Sequence, residues 1–361
     1  MLPNREFFRN FTSNNNRIIM AKTVLVTGGT GYIGSHTTVE LLEAGYDVVI
    51  VDNLSNSERF VLKGIQKITG RKVPFHKVDC GDLTRLGHIF ARYNFDAVIH
   101  FAASKAVGES VEQPLMYYRN NLVSLMNILQ LMREHQVPNL VFSSSCTVYG
   151  QAEKLPVSEQ TPRREATSPY GNTKHMCEDI IRDSVAAYPE IRSIALRYFN
   201  PIGAHPSAEI GELPRGVPNN LIPFVTQTAA GIRPMLSVFG DDYNTPDGSC
   251  IRDYINVTDL AKAHVVAVDR MTGDKMKDRF EVFNIGTGRG VSTLEVVRTF
   301  EKVNQLKLNY KVVGRRAGDI EAVWADPTYA NEELGWKAEK TLEETLQSAW
   351  NWQKHLGEKQ Q

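Results

Sequence analysis

Tyr170 and Lys174 stand four residues apart in the stretch Ser168-Pro169-Tyr170-Gly171-Asn172-Thr173-Lys174. Ser168 suits a helix N-cap and Pro169 a first helical position, so the phenol and the ammonium fall on one helix face, a turn apart. A phenol acts as a base at neutral pH only if its ionisation drops about 3 units from a reference near 10, about 4 kcal/mol of differential stabilisation. An adjacent ammonium is one source, and a second cation in the site is another. Surface helices also carry Tyr-x-x-x-Lys spacings, so the pair takes its meaning from its surroundings. Upstream lies Ser143-Ser144-Ser145, whose Ser145 could donate to the same substrate oxygen.

A second constellation supplies that setting. Thr27-Gly28-Gly29-Thr30-Gly31-Tyr32-Ile33-Gly34 follows the apolar run Val24-Leu25-Val26 and opens a helical stretch. Gly28, Gly31 and Gly34 let the backbone turn tightly and approach a pyrophosphate, which the free N–H groups at the start of that helix, Tyr32 and Ile33 among them, would meet. The pattern is G-x-x-G-x-x-G, a variant of the dinucleotide fingerprint. Asp52 lies 21 residues past Gly31 (52 − 31) and closes the run Val48-Val49-Ile50-Val51. A carboxylate there accepts from ribose hydroxyls and repels a 2′-phosphate, which favours NAD over NADP. The nearest following arginine, Arg59, is seven residues on (59 − 52).

The elements that must hold these groups alternate. Strands are predicted at Val24–Thr27, Asp47–Val51, Val73–Val78, Ala97–Ala102 and Leu140–Phe142, with helices through Leu41-Leu42 to Gly45 and from Pro114 to about His135. Continuous apolar strands imply a sheet buried on both faces, and the alternation implies a doubly wound parallel α/β sheet with right-handed crossovers. After about Phe199 the texture turns to Pro, Gly and Asn-rich connections. We expect a dinucleotide-binding domain over 21–199, with a segment near 251–290 returning to it through Phe283-Asn284-Ile285-Gly286, and a smaller α/β substrate domain over most of 200–361. Residues 1–20 lack a continuous apolar core and a cleavage site, and read as a leader or an upstream start before Met20.

Composition excludes several classes. Lys+Arg and Asp+Glu both number 41, and no basic cluster argues for nucleic acid. No apolar run is long enough to span a bilayer. The four cysteines form neither a C-x-x-C pair nor a disulfide framework, and no metal-ligand spacing occurs, so a reducing cytosol fits best.

These residues, with His100-Phe-Ala-Ala103, Lys105-Ala-Val-Gly-Glu-Ser110, Ser143-Ser-Ser-Cys-Thr-Val-Tyr-Gly150, Arg197-Tyr-Phe-Asn-Pro201, Gly203-Ala-His-Pro206, Pro218-Asn-Asn-Leu221 and Arg252-Asp-Tyr254, are similar to the UDP-hexose 4-epimerases of the extended short-chain dehydrogenase/reductase family. The resemblance runs from about residue 21 to the C-terminus. It implies reversible oxidation at sugar carbon 4, with Tyr170 as the base beside Ser145 and Lys174. It places Asn53, Asp79, Cys80, Phe101, Ala102, Lys105, Asn120, Ser143 and Tyr198 along NAD, and Asn200, Asn220, Leu221, Phe239, Arg252, Arg316 and Asp319 on the nucleotide. Forked arginine donors suit a diphosphate. The family is usually dimeric, and the Pro114–His135 helix is a candidate face, although such stripes also serve as core. Family members restricted to plain hexoses commonly carry tyrosine where this chain has Val323, so the resemblance makes N-acetylated UDP-hexoses further candidate substrates; Val323 also reads as an ordinary buried aliphatic. Dehydratases and decarboxylases of the same family need an extra acid beside the serine motif, where Cys146-Thr147 stand. The same motifs also suit a non-catalytic NAD-binding sensor or a dehydrogenase with exchangeable coenzyme.

Overall fold

Strands without polar alternation must be covered on both faces, and here they are: Val24, Leu25, Val26 and Val48 through Val51 are all buried. A computed structural model describes residues 21–316 and 319–358; the leader expected over residues 1–20 lies outside them. In chain order the first half comprises β1 (Thr23–Thr27), α1 (Tyr32–Glu43), β2 (Asp47–Asp52), α2 (Val61–Thr69), β3 (Phe75–Lys77), α3 (Leu83–Arg92), β4 (Ala97–His100), α4 (Val107–Glu112), α5 (Pro114–Glu134), β5 (Asn139–Ser145), α6 (Pro169–Ala187) and β6 (Arg192–Tyr198). The second half adds β7 (Asn200–Ile202), α7 (Leu221–Ala229), β8 (Leu236–Phe239), β9 (Ile251–Arg252), β10 (Tyr254–Asn256), α8 (Val257–Thr272), β11 (Phe280–Ile285), β12 (Val291–Ser292), α9 (Thr293–Asn304), β13 (Tyr310–Val313), β14 (Ala322–Val323) and α10 (Leu342–Glu358).

The main sheet runs β11-β6-β5-β4-β1-β2-β3, with every pairing parallel. Chain order reverses between β1 and β4, which opens a crevice beyond their carboxyl ends. On one face Val26, Ile50, Ile99 and Ile194 pack with α1 and α8 through Val39, Leu41, Leu260 and Ala267. On the other, Leu25, Val49, Val98 and Leu140 pack with α5 and α6 through Leu125, Leu129, Met132 and Ile181. The smaller lobe has its own core, in which Val225 of α7, Val238 of β8, Phe300 of α9 and Leu346 of α10 meet. Its short sheets are β12-β9-β14, β13-β8 and β10-β7.

Two strands, β3 and β4, are shorter than the sequence expectation. β3 covers only Phe75–Lys77. β4 stops at His100, after which the Phe101 and Ala102 N–H groups turn onto the carbonyl and hydroxyl of Thr27 at 3.1 and 3.4 Å. The α5 stripe splits as well: Leu125, Leu129 and Met132 join the core, whereas Leu115 is 82% exposed.

Candidate active site

Gly28 takes a φ of +70°, and a Cβ there would come 2.9 Å from the Ala102 nitrogen. A Cβ on Gly34 would stand 2.3 Å from the Gly28 carbonyl oxygen, so the turn closes more tightly than any side chain allows. Gly31 is the N-cap of α1, with no side-chain cap bond and no acidic residue in the first turn. A glycine cradle ending at an uncapped, acid-free helix start fits a dinucleotide pyrophosphate. Tyr32 reaches across to donate to the Gly203 carbonyl at 2.7 Å.

Asp52, buried at the end of β2, is already engaged: Oδ2 accepts from Thr30 N at 3.2 Å, and Oδ1 from Leu54 N at 2.8 Å and Ser57 Oγ at 3.1 Å. A carboxylate oxygen accepts two bonds, so Asp52 shapes the loop and retains capacity for a hydroxyl. Asn53 donates to Asp79 at 2.8 Å, beside it at the end of β3. Cys80 turns its thiol into the core, where burial pushes it up to about 12, leaving only backbone for a ligand. The Phe101 ring packs on His264 with centroids 4.8 Å apart. Lys105 stands 3.7 Å from Glu212, and Asn120 donates to Ser104 Oγ at 3.1 Å.

Ser168 caps α6 by accepting from Gly171 N at 3.2 Å, and Pro169 is its first residue. Lys174 is buried; its Nζ donates to the Ser143 carbonyl at 2.6 Å and lies 4.9 Å from the Phe142 ring centroid and 5.8 Å from that of Tyr170. The ammonium therefore flanks the phenol while bonded to the strand. Burial pushes Lys174 down to about 8, against the pull of Cys177 and Glu178. Burial pushes Tyr170 up to about 12, partly countered by Ser145. Ser145 Oγ accepts from Thr147 N at 3.3 Å, and its hydroxyl hydrogen stays available. Tyr198 donates to His264 Nε2, because Nδ1–H of that ring faces the Leu260 carbonyl at 2.8 Å. Burial holds His264 down at about 3, hence neutral. Together the hydroxyl, phenol and ammonium can exchange a proton with one alcohol oxygen.

Of the expected nucleotide anchors, Arg252, Arg316, Asp319 and Phe239 meet in the smaller lobe. Arg316 forks onto Asp319 at 3.1 and 2.8 Å, and Arg252 lies 3.6 Å from the same carboxylate. Asp319 thus offsets one of the two cations, and the trio keeps a single net positive charge. Arg316 also lies 5.8 Å from the centroid of the exposed Phe239 ring. Asn220, the N-cap of α7, spends its amide on Glu212 at 2.6 Å, and Leu221 follows it into the helix. Asn200 pairs through its backbone with Asp253 at 2.9 Å. β14 registers Val323 opposite Arg252, and Val323 is buried with Val148, Tyr149 and Phe199, with Cys146 against the cluster.

Several residues at the site escaped the sequence reading of roles. Asp253 is fully buried and accepts from Thr287 N and Oγ1, Gly288 N and Ala325 N at 2.8, 2.6, 3.1 and 3.2 Å, which locks the loop behind Arg252. Glu178, Arg197 and Glu212 likewise carry buried or bridging bonds. Arg197 and Asp253 fall in the motifs named above, yet nothing in residue type announces a buried charge.

A doubly wound sheet with this glycine turn, and a Tyr-x-x-x-Lys helix facing a serine at a strand end, defines an extended short-chain dehydrogenase/reductase. Residues 25–349 match the family model described as GDP-mannose 4,6 dehydratase. The UDP-glucose 4-epimerase of Dictyostelium discoideum is 51% identical over 330 residues, covering 91% of this chain and 95% of that protein. The crystal structure of the Bifidobacterium longum UDP-glucose 4-epimerase, in complex with NAD+ and UDP, has a TM-score of 0.89 at 47% identity, covering 92% and 98% of the two chains. The UDP-Glc/GlcNAc 4-epimerase of Campylobacter jejuni has a TM-score of 0.79 at 35% identity, covering 93% and 100%. The chain belongs to the UDP-glucose 4-epimerase family.

Proposed function

We propose that this protein is an NAD-dependent 4-epimerase that interconverts UDP-glucose and UDP-galactose through a 4-keto sugar. The observation that carries the reading is the meeting of Ser145, Tyr170 and Lys174 at the carboxyl end of β5, in a chain of this family. NAD, when bound, supplies a reversible hydride acceptor; Gly28, Gly31, Tyr32, Ile33, Gly34, Asp52, Asn53, Asp79, Phe101, Ala102, Lys105, Asn120, Ser143 and Tyr198 would hold it, with Cys80 contributing only backbone. Tyr170 takes the proton of the 4-hydroxyl and returns it after the keto sugar has turned over. Ser145 donates to the same oxygen, which steadies both alcohol and ketone. Lys174 keeps positive charge beside the phenol. Asn200, Asn220, Leu221, Phe239, Arg252, Arg316 and Asp319 keep the nucleotide fixed while the hexose rotates. Cys146 and Thr147, beside Ser145, offer no carboxylic acid for elimination or decarboxylation. Product analysis with UDP-galactose tests the reading: the parent should yield UDP-glucose, and Tyr170→Phe should retain NAD while losing at least about 1,000-fold in kcat. Turnover near the parent's in that variant would refute it.

The buried Val323, opposite Arg252 and in one cluster with Cys146, favours a second substrate class. Valine is smaller than the tyrosine that plain-hexose members of the family commonly carry there, so UDP-N-acetylglucosamine and UDP-N-acetylgalactosamine are proposed as additional substrates. A homodimer is proposed on the exposed Val111, Leu115 and Met126 of α4 and α5. Among the described residues no helix is long and apolar enough to cross a membrane, and all four cysteines are free; we place the protein in the cytoplasm. Residues 21–199, with a segment near 251–290 that includes β11, form the proposed NAD-binding domain, and the rest of 200–361 the UDP-sugar domain.

A further inference from the structure

Arg197 of β6 and Glu178 of α6 are almost completely buried and face each other as a forked ion pair, Nε to Oε1 at 2.9 Å and Nη2 to Oε2 at 2.7 Å. Each partner also holds a second group. Glu178 Oε1 accepts from Ser144 Oγ at 2.6 Å, on the residue immediately before Ser145. Arg197 Nη1 donates to the Tyr149 hydroxyl at 2.9 Å, and that hydroxyl donates to Asn284 Oδ1 at 2.6 Å. Tyr149 ends the single turn Cys146–Tyr149 that begins directly after Ser145. The pair therefore grips the chain on both sides of Ser145. Lys174, one turn before Glu178 on α6, bonds the carbonyl of Ser143, so the helix holds this strand end at two consecutive residues.

Stability alone gives weak reason for such a pair, because well-packed apolar residues of similar volume commonly serve as well or better. Apolar residues cannot supply directed bonds to Ser144 and Tyr149. We infer that the Glu178–Arg197 pair is a positioning device for the epimerisation, fixing the Ser145 hydroxyl and Lys174 against Tyr170 from behind the site without touching substrate. The inference rests on the epimerase reading. It gives Arg197 a role distinct from that of its neighbour Tyr198, and it explains why a carboxylate stands on the buried face of α6.

The test uses the full chain with its co-purified cofactor. Ser144→Ala with Tyr149→Phe removes both tethers and leaves the ion pair intact, so no buried charge is stranded. Glu178→Met with Arg197→Met removes the pair itself while conserving apolar volume. Both double variants should keep NAD content and the KM for UDP-galactose within about twofold of the parent, while kcat falls about 100-fold, the scale expected when a reacting group is misplaced by about 1 Å. Parental kcat in both variants would overturn the inference. So would parallel losses of kcat, KM and NAD content, which would mean general loosening instead of mispositioning. An inactive parent would overturn the epimerase reading and this inference with it; an active parent with unimpaired variants overturns this inference alone.

Discussion

Lys174→Met should cut turnover without loosening the fold. The ammonium lies 5.8 Å from the centroid of the Tyr170 ring. Over about 6 Å, at an effective dielectric constant near 20, a unit charge is worth about 3 kcal/mol, or about 2 pH units of phenol ionisation. Removing it moves the rising limb of kcat against pH upward by about 2 units and lowers kcat at neutral pH about 100-fold. The effect on stability has a different origin. Burial lowers the ammonium from 10.5 to about 8 in the folded chain. Below pH 8 both folded and unfolded chains are protonated there, so the penalty on the folded state is present in full; it fades as pH rises from 8 towards 10.5. Its size, from the difference 10.5 − 8, is about 3 kcal/mol. Methionine abolishes that penalty but leaves the Ser143 carbonyl without its donor, a cost of about 1–3 kcal/mol. The two terms nearly cancel, and the melting temperature at neutral pH should barely move. Initial rates with UDP-galactose across the pH range, and thermal melts on the same samples, measure both. An unmoved rising limb would remove Lys174 from the tuning role; a large fall in melting temperature would show that its bond to the strand outweighs the cost of its charge.

Three further substitutions probe the cofactor cradle and the sugar pocket. Gly34→Ala places a Cβ 2.3 Å from the Gly28 oxygen, 1.1 Å inside ordinary contact at 3.4 Å (3.4 − 2.3). An overpacking cost of about 1–3 kcal/mol on the bound loop weakens NAD about 5–150-fold, so the purified variant should lose coenzyme, and full NAD content would refute the cradle. Asp52→Ala should weaken NAD retention and relax discrimination against NADP, measured as coenzyme content and as reconstitution with each; unchanged preference would reduce Asp52 to a support for the Thr30, Leu54 and Ser57 loop. Val323→Tyr should suppress conversion of the N-acetylated sugars more than that of UDP-galactose, because an overfilled pocket rejects the larger ligand first. Equal losses on both substrates would mean that the ring disrupts the cluster with Val148 and Tyr149, and no N-acetylhexosamine turnover by the parent would end the broad-specificity reading.

What was legible in the chain follows from how far each signal reaches. Unbroken apolar runs placed β1, β2 and β5, because burial on both faces leaves no polar alternation to misread. The Ser168 cap and Pro169 placed α6 and hence the Tyr170 to Lys174 spacing, which is local chemistry. The partner of Lys174 was not legible: its nitrogen goes to the Ser143 carbonyl, 31 residues upstream and on another element. Asp319 was expected on the nucleotide, but its place between Arg252 and Arg316 was not legible, being set by the approach of β9 and the segment before β14.

Charges at the site were the hardest to see, since a charged residue on an amphipathic helix is ordinarily taken as solvent-facing. α6 contradicts that habit in a readable way. Lys174, Cys177, Glu178, Ile181 and Val185 are all buried, and they follow one another at steps of three or four residues or sit side by side, the spacing of a single face. Lys174 and Glu178 therefore interrupt the apolar stripe instead of lying opposite it. Transfer of an ionised group to such a face is unfavourable unless bonds meet it, so a charge in register with a buried stripe demands partners on a neighbouring element. Ser143, Ser144 and Arg197 are their hydrogen-bond partners, and all three lie on the two strands, β5 and β6, that this face covers.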